Sequence, residues 1–383
     1  MNDLIFVSLE DWDDVWRRNQ FICSSLAKRF PGMKILFVGL PRNVSHALRR
    51  GDLRSLRTQA TWSVPGYSNI TVTHALKLCP DSVPAGRRIN ESMARRHILG
   101  VAGRLGMKSP LLWLNPHSAL HMAGAMGERG VVYDITDDWA SAPSFSEHEM
   151  NLIIQQDRAL CERADLVIVC SEALHASREG RCKCILLLPN GVDCEHYAAI
   201  PDAVAPGRWP RPVLGYTGTI HGDRFDVDLI AGIARAFASG SIVLVGPDHL
   251  RADEKEKLAP FKNIHITGPV SYNQIPQSMA QFDVCIVPHV ETAFTNSLNP
   301  LKLWEYLAAG RPIVSTNVAG FRDYPALCRI ASGVEPFAQA CREALAENGA
   351  GRAARRAEAG RHRWEQRIDV LLETLSSQGL IDA

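Results

Sequence analysis

No apolar run in this chain approaches the ~18 residues that a bilayer-spanning helix needs. The start, Met1-Asn2-Asp3, leads into an apolar stretch with no basic segment ahead of it, so it does not read as a secretory signal. The ten cysteines follow no regular spacing, which gives neither a disulfide framework nor a zinc pattern; reduced thiols are expected. Cys182 and Cys184, two apart on a predicted strand, are expected to pack rather than to hold a metal. The Asn69-Ile70-Thr71 sequon carries no weight in a chain expected to stay in the cytoplasm. No metal-binding spacing stands out, and no metal or cofactor is expected. No Gly-x-Gly-x-x-Gly follows the first strand of either half, which disfavours a nicotinamide dehydrogenase. Net charge is only +1, so bulk charge announces no nucleic-acid partner.

What is present is ordinary globular composition, 46% hydrophobic and 22% charged, over 383 residues. That is more chain than one core usually serves, so two domains are expected. Charge is uneven: residues 1–110 carry 17 lysines and arginines against 8 acids. Arg49, Arg50, Arg54 and Arg57 cluster, and Arg87, Arg88, Arg95 and Arg96 follow. Such a lobe is either a solvated face or a surface attracted to anionic membrane or to phosphate-bearing acceptors.

Short β-rich runs bounded by turn residues alternate with helical spacing, the pattern of a parallel α/β sheet. Strands are predicted at 4–8, 34–40, 69–73, 111–114, 130–135, 166–170 and 184–188, with a helix over 15–30. Residues 199–212 hold four prolines and a glycine and read as a linker. The pattern restarts with strands at 213–216, 241–245, 264–267, 284–287 and 312–315 and helices near 227–237, 274–281 and 302–309. Residues 352–376 are expected to be helical throughout. The expected fold is therefore α/β, with two tandem Rossmann-like doubly wound domains facing a cleft. The first would span 1–198, joined in space by a closing helix at 360–383; the second would span 213–359. Ligands in such sheets bind beyond the carboxyl ends of the strands.

The segment Asn299-Pro300-Leu301-Lys302-Leu303-Trp304-Glu305 places a proline at a helix start and Lys302 in the first turn. Free backbone N–H groups and the positive end of the helix dipole lie there, which suits a diphosphate. Glu305 falls one turn later on nearly the same face and can accept hydrogen bonds from ribose hydroxyls. The competing reading is an amphipathic helix with a solvated lysine. Gly218 and Thr219, after the first strand of the second half, form a turn where backbone can approach a ligand closely. The acids Asp134, Asp137 and Asp138 follow an apolar strand. Crowded carboxylates are candidates for general-base work, or they cap the next helix. Trp12 and Trp16 could stack on a sugar, and a lone histidine such as His117 is more often structural.

The segment around Lys302 resembles the nucleotide-sugar helix of GT-B glycosyltransferases, especially those building bacterial exopolysaccharides and teichuronic acid, and the xanthan-type glucuronosyltransferases. The resemblance implies a glycosyltransferase moving a sugar from a UDP- or GDP-linked donor to a saccharide or lipid-diphosphate-linked acceptor. It places Lys302 on the donor diphosphate and Glu305 at the ribose or phosphate, with Asn299 and Leu301 beside them. Asp137 falls where similar enzymes carry a base for the acceptor hydroxyl, with Asp138 as the alternative. Pro269 and Val270 match a turn bordering the nucleobase, and Pro189-Asn190-Gly191-Val192-Asp193 matches a hinge turn. His221 and Arg224 are the nearest candidates for a further phosphate contact, and Arg18 and Gln20 resemble acceptor-side positions. Ser297 stands where many retaining enzymes carry another glutamate, which points to inversion. The resemblance further implies an enzyme of polysaccharide biosynthesis. With no metal motif and Lys302 able to take a cation's role, a divalent metal is not expected to be needed. With no export signal the protein is expected in the cytoplasm, and the membrane reading of the basic lobe would put it on the inner face of the plasma membrane. A nucleotide-sugar 2-epimerase of the same fold and an inactive scaffold subunit are the rivals.

Overall fold

Apolar β-branched runs in this sequence become buried strands in the computed structural model of the protein. It describes residues 3–44, 61–81, 83–142, 145–347 and 349–382. Arg49, Arg50, Arg54 and Arg57 lie outside the described residues. The chain divides into two compact units. One comprises 1–136, 146–188 and 368–383; the other comprises 137–145 and 189–367.

In the first unit, eight strands of the described residues form one sheet. They are β1 (Leu4–Val7), β2 (Ile35–Val38), β3 (Thr61–Ser63), β4 (Ile70–Thr73), β5 (Leu111–Leu114), β6 (Gly130–Ile135), β7 (Leu166–Val169) and β8 (Ile185–Leu187). Their order is β8-β7-β6-β5-β1-β2-β4-β3. All neighbours are parallel except β3, which runs against β4 at the edge. Strands such as β1 and β2 are buried along their whole length, as expected of a sheet covered on both faces. One core holds Ile5, Leu36, Leu112, Tyr133 and Val167. The sequon residue Asn69 is part of this fold: its amide donates to the carbonyls of Ala27, Phe30 and Met33.

The helix expected over 15–30 begins only at Arg18 and runs to Arg29. Gln20 causes the delay, because its side chain accepts the N–H of Arg17 and fixes the first turn there. Arg18 is buried and gripped by Asp134 at 3.1 and 3.2 Å, and it donates to the carbonyl of Leu188 at 2.9 Å. Asp134, inside β6, is itself wholly buried. Arg18 and Gln20 are thus engaged within the fold, and Asp134 is withdrawn from the acid cluster. Arg18→Met is expected to cost about 3–5 kcal/mol of unfolding free energy, because it strands a buried carboxylate. Urea denaturation reads this directly, and a loss below about 1 kcal/mol would show the pair to be dispensable.

In the second unit, β9 (Val213–Thr217), β10 (Ser241–Val245), β11 (Ile264–Gly268), β12 (Val284–Val287), β13 (Ile313–Ser315) and β14 (Arg329–Ile330) form a sheet. The order is β11-β10-β9-β12-β13-β14, parallel throughout. Apolar clusters cover both faces. Gly215 in β9 is required by packing, since a Cβ there would run into the ring of Phe282. Residues 199–212 carry no helix or strand and lie inside the second unit. Buried Arg311 ties them down by donating to the carbonyls of Pro201, Asp202 and Ala203.

The stretch 352–376 is two helices, Arg352–Ala359 and Trp364–Ser377, rather than one. Gly360 ends the first, and Val192 pairs with the break through bonds to His362 and Trp364. Residues 368–383 belong to the first unit, where Asp369 pairs with Arg29 and Asp382 with Arg129. The expected strand over 184–188 shortens to Ile185–Leu187. Cys182 packs against the core and Cys184 lies outside the strand.

Candidate donor site in the second unit

Three glycines close the carboxyl ends of β9, β10 and β11. Gly218, Gly246 and Gly268 all have positive φ, at 129°, 147° and 79°, a region that disfavours side chains. They are laced edge to edge: Gly218 N–H donates to Val245, and Gly246 N–H to Gly268. A Cβ on Gly246 would strike the carbonyl of Gly218. The sequence therefore leaves bare backbone along one edge of the sheet.

Lys302 reaches over this edge. A Cβ on Gly218 would collide with its Nζ, and that Nζ lies 4.9 Å from the ring centre of Tyr216, a cation–π contact. Lys302 is the second residue of the helix Leu301–Ala309. Pro300 precedes that helix, no side chain caps it, and Gly310 closes it in the left-handed region. Its leading N–H groups are left without a capping side chain beside the lysine, an arrangement suited to phosphate oxygens.

Glu305 is half-buried one turn on. Burial raises its carboxyl above the ordinary value, while the Lys302 ammonium and the Tyr197 phenol favour its charged form. Burial and then the Glu305 charge push the Tyr197 phenol well up. Below the lysine, the Tyr216 hydroxyl donates to the Thr219 carbonyl at 3.1 Å and meets His289 Nε2 at 3.2 Å. Tyr306 OH accepts the Thr217 N–H at 2.8 Å and so braces the end of β9. Burial, then Lys302 and Arg224, push His289 well below the ordinary histidine value. His289 is thus a neutral support under two cations.

Asp137 and Asp138 belong to the segment 137–145, which clusters with the second unit. Trp139 lies 5.9 Å from Phe294, and Ala142, Phe294 and Leu298 form a small core. Asp138 accepts Ser141 Oγ at 2.5 Å and heads the short turn Trp139–Ser141. Asp137 is half-buried; burial raises its carboxyl and Arg224 opposes the rise. The Arg224 guanidinium lies 5.3 Å from the Phe294 ring centre. Asp137, Arg224, His289 and Lys302 are therefore linked electrostatically within one unit.

The other expected residues take different places. Asn299 clasps the Pro189-Asn190-Gly191 turn: its Oδ1 accepts Asn190 N–H at 2.8 Å and its carbonyl accepts Asn190 Nδ2 at 2.5 Å. Leu301 opens the helix and is half-buried. Pro269 is exposed just past Gly268, while Val270 packs against the core. His221 turns back onto Asp223. Ser297 is buried and donates to the Phe294 carbonyl. His117, in the first unit, meets Gln156 at 2.9 Å. Sequence reasoning missed Tyr216 and His289. His289 stands directly beyond β12, and that position was the available signal. Among the described residues, no three His, Cys, Asp or Glu side chains converge as a metal site.

Two doubly wound, mostly parallel sheets, one in each unit, are the architecture of the GT-B fold. Residues 211–347, within the second unit, match the family described as "Glycosyl transferases group 1". A curated relative, the putative teichuronic acid biosynthesis glycosyltransferase TuaH of Bacillus subtilis, is 31% identical over 238 residues. That match takes in 57% of this chain and 59% of the relative's length. Among solved structures, sucrose-phosphate synthase of Thermosynechococcus elongatus superposes with a TM-score of 0.72 at 15% identity, covering 99% of each chain. HepE of Anabaena, solved with UDP-glucose, superposes with a TM-score of 0.69 at 18% identity, covering 98% of this chain and 99% of its own. At such identities these two establish the fold.

Proposed function

We propose that the protein transfers a sugar from a nucleoside-diphosphate sugar, UDP-linked before GDP-linked, to a saccharide or lipid-diphosphate-linked acceptor in bacterial surface-polysaccharide assembly. The observation that carries this reading is Lys302 held over the Gly218–Gly246 edge at an uncapped helix start. UDP and UDP-glucose in solved structures of the same fold favour uridine.

Lys302, the leading N–H groups of its helix and Arg224 stabilise the negative charge that develops on the leaving diphosphate. Glu305 takes the ribose hydroxyls. Backbone at Pro269 and Val270 borders the base. Asp137 removes the proton from the attacking hydroxyl, and transfer proceeds with inversion. Lys302 and Arg224 supply positive charge that a divalent metal would otherwise bring, so none is needed. We place the enzyme in the cytoplasm, peripheral on the inner membrane face. Among the described residues no helix is long and apolar enough to cross a membrane. The helix Pro84–Arg104 exposes Arg88, Arg96, Ile89 and Leu99, a basic and apolar surface suited to anionic lipid.

The test is turnover of a panel of UDP- and GDP-sugars, with and without lipid-diphosphate oligosaccharide, in chelator. The expected outcome is acceptor-dependent release of nucleotide. Conversion of one donor without acceptor would replace this reading with an epimerase, and failure to bind any nucleotide would replace it with a scaffold.

A further inference from the structure

The segments that follow β1, β2 and β4, adjacent strands of the first unit, bring together Asp11, Arg42 and His74. Arg42 opens a two-residue strand that pairs in parallel with Leu76–Lys77. Arg42 is fixed from both ends. Its backbone N–H donates to Ala75 at 2.8 Å. Its guanidinium lies 3.2 Å from Asp11 Oδ2 and 3.2 Å from His74 Nε2. A guanidinium only donates, so Nε2 accepts and the ring proton sits on Nδ1. Nδ1 points to the Leu40 carbonyl at 3.1 Å and to Asp11 Oδ1 at 3.4 Å. Asp11 Oδ1 also accepts the Leu40 N–H at 2.9 Å.

The packing is close enough to need glycine at position 39. A Cβ there would come within 2.6 Å of the His74 ring and 2.8 Å of Asp11 Oδ1. His74 is 9% exposed, yet the Arg42 side chain is 39% exposed and Asp11 25%. The buried histidine and the tight backbone hold a partly exposed carboxylate and guanidinium side by side. Nothing in the donor chemistry above uses them.

We infer that Asp11 and Arg42 are the recognition point for the acceptor, and that they take neighbouring hydroxyls of an uncharged saccharide. A sugar hydroxyl both donates and accepts. A carboxylate beside a guanidinium offers the complement to each of two such groups, and bonds to charged partners are the stronger kind. The two formal charges cancel. A phosphate or uronate placed against Arg42 would also meet the Asp11 carboxylate. Ligands in open α/β sheets bind at this end of the strands. That the saccharide is the acceptor rests on the transferase reading; a saccharide site at Asp11 and Arg42 does not.

The experiment is saturation-transfer NMR of the full chain with methyl glucoside, galactoside and mannoside. Glucuronate and glucose 6-phosphate are the charged counterparts, and UDP binding is followed separately by calorimetry. At least one methyl hexoside is expected to bind. Its affinity should fall about 10- to 100-fold in Asp11→Asn and in Arg42→Gln, with UDP affinity and melting temperature unchanged. Arg42→Lys keeps the charge but loses the fork and should fall between. If no hexoside binds while UDP does, the inference is overturned. Binding of only the charged sugars, lost in Arg42→Gln, overturns it in favour of an anion site. If hexoside binding depends on Asp11 and Arg42 but UDP is not bound, the transferase reading fails and the saccharide site stands.

Discussion

Lys302→Ala is expected to lower transfer from the nucleotide sugar by about 10²–10³-fold, the loss seen when one donor aimed at developing charge is removed. Nζ is held by the Tyr216 ring over glycine backbone. The charge it serves is greatest once the glycosidic bond has broken, so kcat should fall with kcat/KM rather than KM rising alone. Stability should change little, because Lys302 is only half-buried and its aromatic contact is worth about 0.5–1 kcal/mol. Steady-state kinetics with the preferred donor, alongside a thermal melt, checks both halves. A variant with near-normal kcat would remove the lysine from the diphosphate.

Asp137→Asn is expected to cost about 10²–10⁴-fold, the usual contribution of a positioned base. The amide keeps the shape but cannot take a proton. The pH profile gives a second readout. The base works ionised, so activity is lost as pH falls through its pKa. Burial raises that pKa, so the acid limb should lie at higher pH than an ordinary aspartate would give. In Asp137→Asn that limb should vanish together with most of the rate. An anomeric assignment of the product by NMR completes the test. A retained configuration with normal activity in Asp137→Asn would take Asp137 out of the reaction.

These two residues were legible for different reasons. For Lys302, local rules gave the helix start: a proline before the helix, a cation in the first turn, a glycine after the end. Its assignment to the diphosphate came from the family resemblance, since a solvated lysine fits the same pattern. Asp137 was one of three acids within five residues, and sequence order alone could not sort them. In the fold they differ in what each touches. Asp134 is consumed by Arg18, Asp138 by Ser141, and Asp137 is left half-buried under the influence of Arg224. Asn299 looked like a ligand because it begins the donor segment. Its partner, Asn190, lies more than a hundred residues away, and no local pattern reports that clasp.

The sequence alone determined the alternation of buried strands with helices, the second α/β unit, and the helix that carries Lys302 and Glu305. Those features rest on periodicity, capping and turn chemistry, which act over a few residues and are written locally. Only the tertiary structure decided that 137–145 packs with the second unit and that Tyr216 and His289 underpin Lys302. It also decided that Asp11, Arg42 and His74 meet at one edge of the first sheet. Those facts depend on strand order and on which loops end side by side. Strand order follows from how all the apolar faces are buried at once, so no single stretch of sequence records it.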